Sequence, residues 1–286
     1  MAGELKLPRE WLLQALELET NREAGSEQLV RQAVDTFRAA LEQAWTPDAD
    51  AEQVRSQLSA FAARLRRARS ESTALAQALE RVEAALRRGR EAALAETEAV
   101  LRSSFGELAQ AAESLFRPGT RVLVLGHEET VLKLLVKFAD RLEAVTVSEG
   151  RPRSRGVAIA AALADQALPV RLITEAQLEL FAPECDLALL QAERVLPDGA
   201  VVAPAGTAVA ARVCAAHGRK VYVVAERSRW VGERDPAARF TTVPGPPSEV
   251  LAEAPPGVEV ANVQFDRTPA ELITGYLTEE GIRTGI

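Results

Sequence analysis

Pro118-Gly-Thr-Arg-Val-Leu-Val-Leu-Gly-His-Glu-Glu-Thr130 is where the chain changes rhythm. Pro118 and Gly119 punctuate it, and Arg121 to Leu125 is an apolar run of the length a buried strand has. Gly126-His127-Glu128-Glu129 reads as a tight turn, after which Thr130 to Ala139 takes up helical spacing. A buried strand passing through a short turn into a helix is the opening unit of a parallel sheet.

Downstream the unit repeats. Ala144–Val147, Val170–Ile173, Asp186–Leu190 and Lys220–Ala225 read as strands, and Val157–Ala167 and Thr207–Ala216 as helices. Short strands alternating with helices predict a mostly parallel sheet with helices on both faces. The Pro244-Gly-Pro-Pro247 and Pro255-Pro-Gly257 segments read as loops. Upstream, Pro8 to Phe116 is helical in pattern. Leu29, Ala33, Val34, Phe37 and Leu41 recur at three- and four-residue steps, as do Val54, Leu58, Phe61 and Leu65. Thr46-Pro47-Asp48 breaks the pattern. The steps do not make clean heptads, so an amphipathic bundle is favoured over a coiled coil. The Arg64-Leu-Arg-Arg-Ala-Arg69 run lies among glutamates and reads as a solvated helix face. The expected organisation is a helical domain over 1–117 and an open α/β domain over 118–286.

Composition narrows the function classes. The 286 residues are 47% apolar and 26% charged, enough for a sizeable core. A net charge of −7 argues against a direct nucleic-acid binder, which carries a basic face. The two cysteines, Cys185 and Cys214, lack zinc-site spacing, and their number points to a reduced, cytoplasmic protein. Both read as buried small apolar residues. No apolar run reaches membrane-spanning length, and Glu4, Pro8, Arg9 and Glu10 break any signal-peptide pattern. Nothing in the pattern calls for a metal or a cofactor.

The stretch from Asn262 to Ile282 reads by local rules as a strand or loop end, then a helix, then a stop. Thr268 is the helix N-cap, Pro269 its first residue, Glu271 follows three after the cap, and Gly281 is the stop. Its wording is more specific than those rules. Phe265-Asp266-x-Thr268-Pro269-x-Glu271-Leu272-Ile273-Thr274, then Thr278-Glu279-x-Gly281, closely resembles the C-terminal signature of one family. That family joins the alpha, beta and delta subunits of eukaryotic translation initiation factor 2B to isomerases of methylthioribose-1-phosphate and ribose-1,5-bisphosphate.

Further segments carry the same resemblance over most of residues 119–286. Glu149-Gly-Arg151-Pro152-x-x-Arg155-Gly156 is similar to the family's Glu-x-Arg-Pro-x-x-Gln/Glu-Gly, and Val170-x-Leu-Ile-Thr174 to the strand that follows. Asp186 to Val195 with Asp198-Gly199 resembles Asp-x-x-x-x-Gly-Ala-Asp-Arg-Val with its Asn-Gly turn. Gly206-Thr207 resembles the end of Asn-Lys-x-Gly-Thr. The resemblance implies a Rossmann-like C-terminal half and subunits paired through it, here a homodimer.

Ligands in sheets of this kind sit beyond the carboxyl ends of the strands. Gly206-Thr207 opens a helix, so its N–H groups are either a phosphate site or an ordinary helix start. Arg151 suits two-pronged phosphate binding or a structural ion pair. His127 sits at the pocket mouth, as a ligand contact or a local hydrogen-bonding group. His217 precedes Gly218 and reads as a helix-terminal cap.

The family's isomerases use a Cys in the first turn and an Asp in the Gly-Ala-Asp element. By resemblance those positions hold Glu128 and Glu193, and the Asn-Lys pair is replaced by Ala203-Pro204. Pro204 supplies neither the charge nor the backbone donor a phosphate needs. Glu128 and Glu193 remain candidates for an acid/base pair, or are surface and helix-start carboxylates.

Two functions follow as expectations. The first is a non-catalytic or diverged binding or regulatory module, with a sugar-phosphate or nucleotide pocket lined by Arg151, Gly206, Thr207 and His127. The second is an aldose–ketose sugar-phosphate isomerase using Glu193. A partner that only contributes its helical bundle to an assembly is a third, plainer reading.

Overall fold

Strand β1 (Thr120–Val124) is the axis of the α/β part of the computed structural model, which describes residues 7–21, 26–69, 72–102, 105–126, 129–233 and 235–285. The chain divides into two compact units, Met1–Ser103 and Ser104–Ile286.

The first unit is a bundle of α1 (Arg9–Thr20), α2 (Ser26–Ala44), α3 (Ala51–Ala68), α4 (Thr73–Leu86) and α5 (Arg90–Leu101). Its core gathers the periodic apolar positions, among them Phe37, Leu41, Leu58, Phe61 and Leu79, all without exposure. Phe61 is central, with ring centroids 5.0 Å from Trp11 and 6.5 Å from Phe37. The Thr46-Pro47-Asp48 break separates α2 from α3, and Asp50 then caps α3 by accepting the Glu52 and Gln53 N–H groups. The arginine run is the solvated face expected of it: Arg64 pairs with Glu19 at 2.7 Å and Arg66 with Glu83 at 3.0 Å.

The second unit continues with α6 (Phe105–Ala112), β1, α7 (Glu129–Lys137), β2 (Leu142–Ser148), α8 (Arg155–Ala164), β3 (Val170–Ile173) and α9 (Leu178–Phe181). Then come β4 (Leu187–Gln191), β5 (Arg194–Val195), β6 (Val201–Pro204), α10 (Thr207–Ala216), β7 (Lys220–Val224), β8 (Phe265–Thr268), β9 (Gly275–Thr278) and β10 (Gly281–Arg283). The main sheet runs β10-β9-β7-β4-β1-β2-β3 and is parallel except for β10. Alternating residues fill two cores. Val122, Val124, Val145 and Val147 meet α7 and α8, while Leu123, Leu125, Ala188 and Leu190 meet α10. Burial on both faces explains why these strands read as continuous apolar runs. No helix among the described residues is long and apolar enough to cross a membrane.

The C-terminal helix expected from Thr268, Pro269 and Gly281 does not form. Thr268 closes β8, Pro269 leads only into a 3₁₀ turn (Ala270–Leu272), and the next residues are β9 and β10. The cause is long-range pairing. Gly275, Tyr276 and Leu277 lie in parallel register with Tyr222, Val223 and Val224, and a sheet position outweighs a local cap signal. Antiparallel β5-β6-β8 forms a second, small sheet that the sequence reading did not contain.

Candidate functional site

Two segments leave the sheet at its topological switch point. From β1 the chain moves through β2 to β3 on one side, then returns to β4 on the other and moves on to β7. The carboxyl ends of β1 and β4, where neighbouring connections diverge, are where open sheets of this order generally place a crevice. Gly126 leaves one strand and Gln191-Ala192-Glu193 the other. His127 and Glu128 lie outside the described residues.

Close backbone contact shapes one wall. A Cβ placed on Gly156 would lie 1.8 Å from the Ser148 carbonyl oxygen, and one on Gly126 would lie 2.2 Å from the Gly156 nitrogen. The first turn of α8 thus sits directly on the ends of β1 and β2. The turn between β2 and α8 is fixed by Glu175, whose carboxylate accepts the Gly150 N–H at 2.8 Å.

Glu193 follows β4, and its N–H donates to the Val202 carbonyl at 2.8 Å. Its carboxylate lies 3.8 Å from the Arg229 guanidinium, with the two side chains 14% and 2% exposed. Arg229, on a 3₁₀ turn after β7, also donates to the Ala192 carbonyl at 2.8 Å and to Glu226 at 3.4 Å. Glu193 thus faces a buried cation, a partner the sequence reading missed.

Gly206 is the N-cap of α10 and adopts φ 105°, which glycine takes without strain. The N–H groups expected to be free there are not all free. Gly206 donates to Asp266 at 2.7 Å, and Ala208 donates to both Asp266 oxygens at 3.2 and 3.1 Å. Thr207 is fully buried, with its hydroxyl on the Pro204 carbonyl at 2.6 Å. The chain's own carboxylate has taken the anion position at this helix start, by the same attraction that favours a phosphate. Burial pushes the Asp266 carboxyl above its ordinary range, against the pull of the Ala208 and Gly206 N–H groups. A raised value means the folded chain holds that proton more tightly than the unfolded chain. Its contribution to stability is therefore present in acid and lost as pH rises from about 4 through the raised value. Asp266→Asn is expected to flatten that stretch of the stability–pH curve. Asp266→Ala is expected to cost about 1–2 kcal/mol at neutral pH through the lost cap. Thermal melts from acid to neutral pH check both; an unchanged slope in Asp266→Asn sinks the assignment.

Arg151 is exposed and donates to the Val250 carbonyl at 3.0 Å and the Pro152 carbonyl at 3.3 Å. Beside it Arg153 pairs with Glu249 at 2.9 Å, and Asn262 donates to Glu249 at 3.0 Å and to the Pro246 carbonyl at 2.8 Å. These contacts fasten the proline-rich loop to the turn before α8. Pro204 sits in β6 opposite Phe265. The structure thus gathers Glu193, Gly206 and Thr207 around β4 and β6 and turns Arg151 toward the loop.

His217 is the C-cap of α10, and its ring lies 2.8 Å from Glu179. Cys185 and Cys214 are free and buried. Burial raises both thiols, Cys214 to about 12, so neither is a ready nucleophile.

Residues 22–285 match the model of the Initiation factor 2 subunit family. A putative translation initiation factor eIF-2B subunit 2-like protein of Pyrococcus furiosus is 34% identical over 182 residues, 62% of each chain. The methylthioribose-1-phosphate isomerase of Heliobacterium modesticaldum is 31% identical over 172 residues, 57% of this chain and 48% of that one. The chain therefore spans less than two thirds of the length of these curated relatives. In fold it is similar to the translation initiation factor eIF-2B of Pyrococcus horikoshii OT3, with a TM-score of 0.82 at 22% identity over 97% of this chain and 98% of that one.

Proposed function

From the premise that the chain belongs to the Initiation factor 2 subunit family, we propose that it acts as a binding or regulatory module rather than as an isomerase. One observation carries this reading. At the end of β6, where the family's isomerases are expected to place Asn-Lys, stand Ala203 and Pro204, and the adjoining Gly206 and Ala208 N–H groups already hold Asp266. That corner offers a sugar phosphate no amine and no amide at those two positions. A phosphorylated small molecule, a sugar phosphate or a nucleotide, remains the ligand class for the crevice. Self-association into a homodimer belongs to the same proposal, and a monomer by light scattering across micromolar concentrations removes that part of it.

The expected result with ribose-1,5-bisphosphate and with methylthioribose-1-phosphate is no turnover. A rate on the order of 1 per second or more overturns the reading.

A second reading, an isomerase working through Glu193, has the placement of that carboxylate at the switch-point crevice in its favour. Against it stands Arg229, because a carboxylate facing a guanidinium is a poorer proton acceptor than one facing water or apolar surface. Glu193→Gln separates the two: activity that survives the exchange undiminished rules this carboxylate out as the proton carrier.

A further inference from the structure

Helix α1 is apolar on two sides. Trp11, Ala15 and Leu18 are buried in the core of the bundle. Leu12, Leu13 and Leu16 lie on the opposite side and are 43%, 51% and 48% exposed. Steps of three and four residues place Leu12, Leu13 and Leu16 together on one helix face. Among the described residues, every exposed large apolar side chain of the first unit is one of these three. Leucines gathered in this way on a polar surface mark a contact site, where leucines scattered singly would not.

The charges beside these leucines have no partner. Arg9 and Glu17 are exposed, and among the described residues neither side chain forms an ion pair or a hydrogen bond. Arg38, Arg64 and Arg81 of the same bundle do meet carboxylates: Glu42 at 3.1 Å, Glu19 at 2.7 Å and Glu96 at 2.7 Å. Arg9 and Glu17 stand eight positions apart with Leu13 midway between them, about 12 Å from one another along the helix axis. The face is therefore positive at one end, negative toward the other and apolar between. A patch of that kind is complementary to itself when turned end for end. A two-fold axis near Leu13 sets a second α1 antiparallel to the first and brings Arg9 of each copy to Glu17 of the other.

We propose that this face of α1 docks on a second copy of the chain, the two helices antiparallel about a two-fold axis near Leu13. An unrelated helix would be held by the leucines alone, whereas the reversal of charge along the face selects the chain itself. Each helix is about 18 Å long, so the shared area is at the low end for a specific interface and micromolar association is expected. The contact uses no residue of the second unit, so it is separate from pairing through the C-terminal half.

Sedimentation velocity of the full chain over about 1 to 100 μM tests it, at low salt where exposed charges are least screened. Arg9→Glu and Glu17→Arg each turn two attractive pairs into repulsive ones, and each is expected to raise the dissociation constant of the α1 contact about tenfold or more. Leu13→Glu sets like charges at the axis and is expected to do the same. Arg9→Glu places an acid at the start of a helix and Glu17→Arg a base near its end, both favoured positions, so the loss of association is not a loss of folding. Mixing Arg9→Glu with Glu17→Arg restores opposite charges at every pair and is expected to recover the parent's association, which neither variant shows alone. If pairing through the C-terminal half also holds, the parent passes beyond a dimer and the single variants stop at one. If it fails, the parent stops at a dimer and the single variants are monomers. Either outcome supports the α1 contact. A parent chain that stays monomeric overturns it. So do single variants that keep the parent's mass, and so does a mixture that assembles no further than its components.

Discussion

Gly156→Ala is expected to destabilise residues 104–286 by about 3 kcal/mol or more, and so to lower Tm by about 10 °C for a unit of this size. The reason is steric. The added methyl would stand 1.8 Å from the Ser148 carbonyl oxygen and 3.0 Å from the Glu149 carbonyl carbon. Those are backbone atoms, not the ends of flexible side chains, so the clash is relieved only by moving the first turn of α8 off the sheet. That movement also withdraws the Gly150 N–H from Glu175 and shifts the Arg151 and Arg153 contacts to the proline-rich loop. Gly106→Ala is the control. It lies in α6 with nothing within 4 Å of the added methyl, and alanine is the better helix former, so a small gain or no change is expected. Urea or thermal melts of the two variants check the contrast; a loss below about 1 kcal/mol for Gly156→Ala shows that the strand ends and α8 do not meet as described.

Arg229→Ala is the second large effect, expected to cost about 3 kcal/mol. The arginine answers the Ala192 carbonyl, Glu226 and Glu193 together. Its removal leaves two carboxylates facing one another around a void and a carbonyl without its donor. The carboxylates are 23% and 14% exposed, so water screens part of the loss and the figure sits at the low end for a broken buried ion pair. Arg229→Met refills the void without the charge. If packing rather than charge is what matters, Met restores most of the stability; the expected result is that it restores less than half, and that pairing it with Glu193→Gln recovers more. Denaturant midpoints of Arg229→Ala, Arg229→Met, Glu193→Gln and the Arg229→Met/Glu193→Gln pair measure this, and additive losses would sink the coupling.

The sequence made the main sheet legible where local signals and burial agree. Val170–Ile173 and Thr207–Ala216 carry the boundaries expected of them, because β-branched runs, turn residues and a glycine start mark them locally. Where pairing partners are distant, the reading failed. β5 is two residues long and exists only because Val195 and Arg194 find Val201 and Val202. Thr268-Pro269 has the chemistry of a helix start, yet residues 275–277 are claimed by a strand more than fifty positions earlier. The candidate site divides in the same way. Placing Glu193 and Gly206 beyond the strand ends required only the strand order, whereas Asp266 and Arg229, which answer them from 60 and 36 positions away, carry no local mark.

The Asp266 cap ties the start of α10 to a strand that the chain reaches only after the long proline-containing excursion. During refolding α10 therefore stays frayed at its first turn until β8 has docked on β6, a contact with a substantial loop-closure penalty. In the native state the two segments form one cooperative opening unit: whatever lifts β8 away also releases the amides of Gly206 and Ala208 to exchange with solvent.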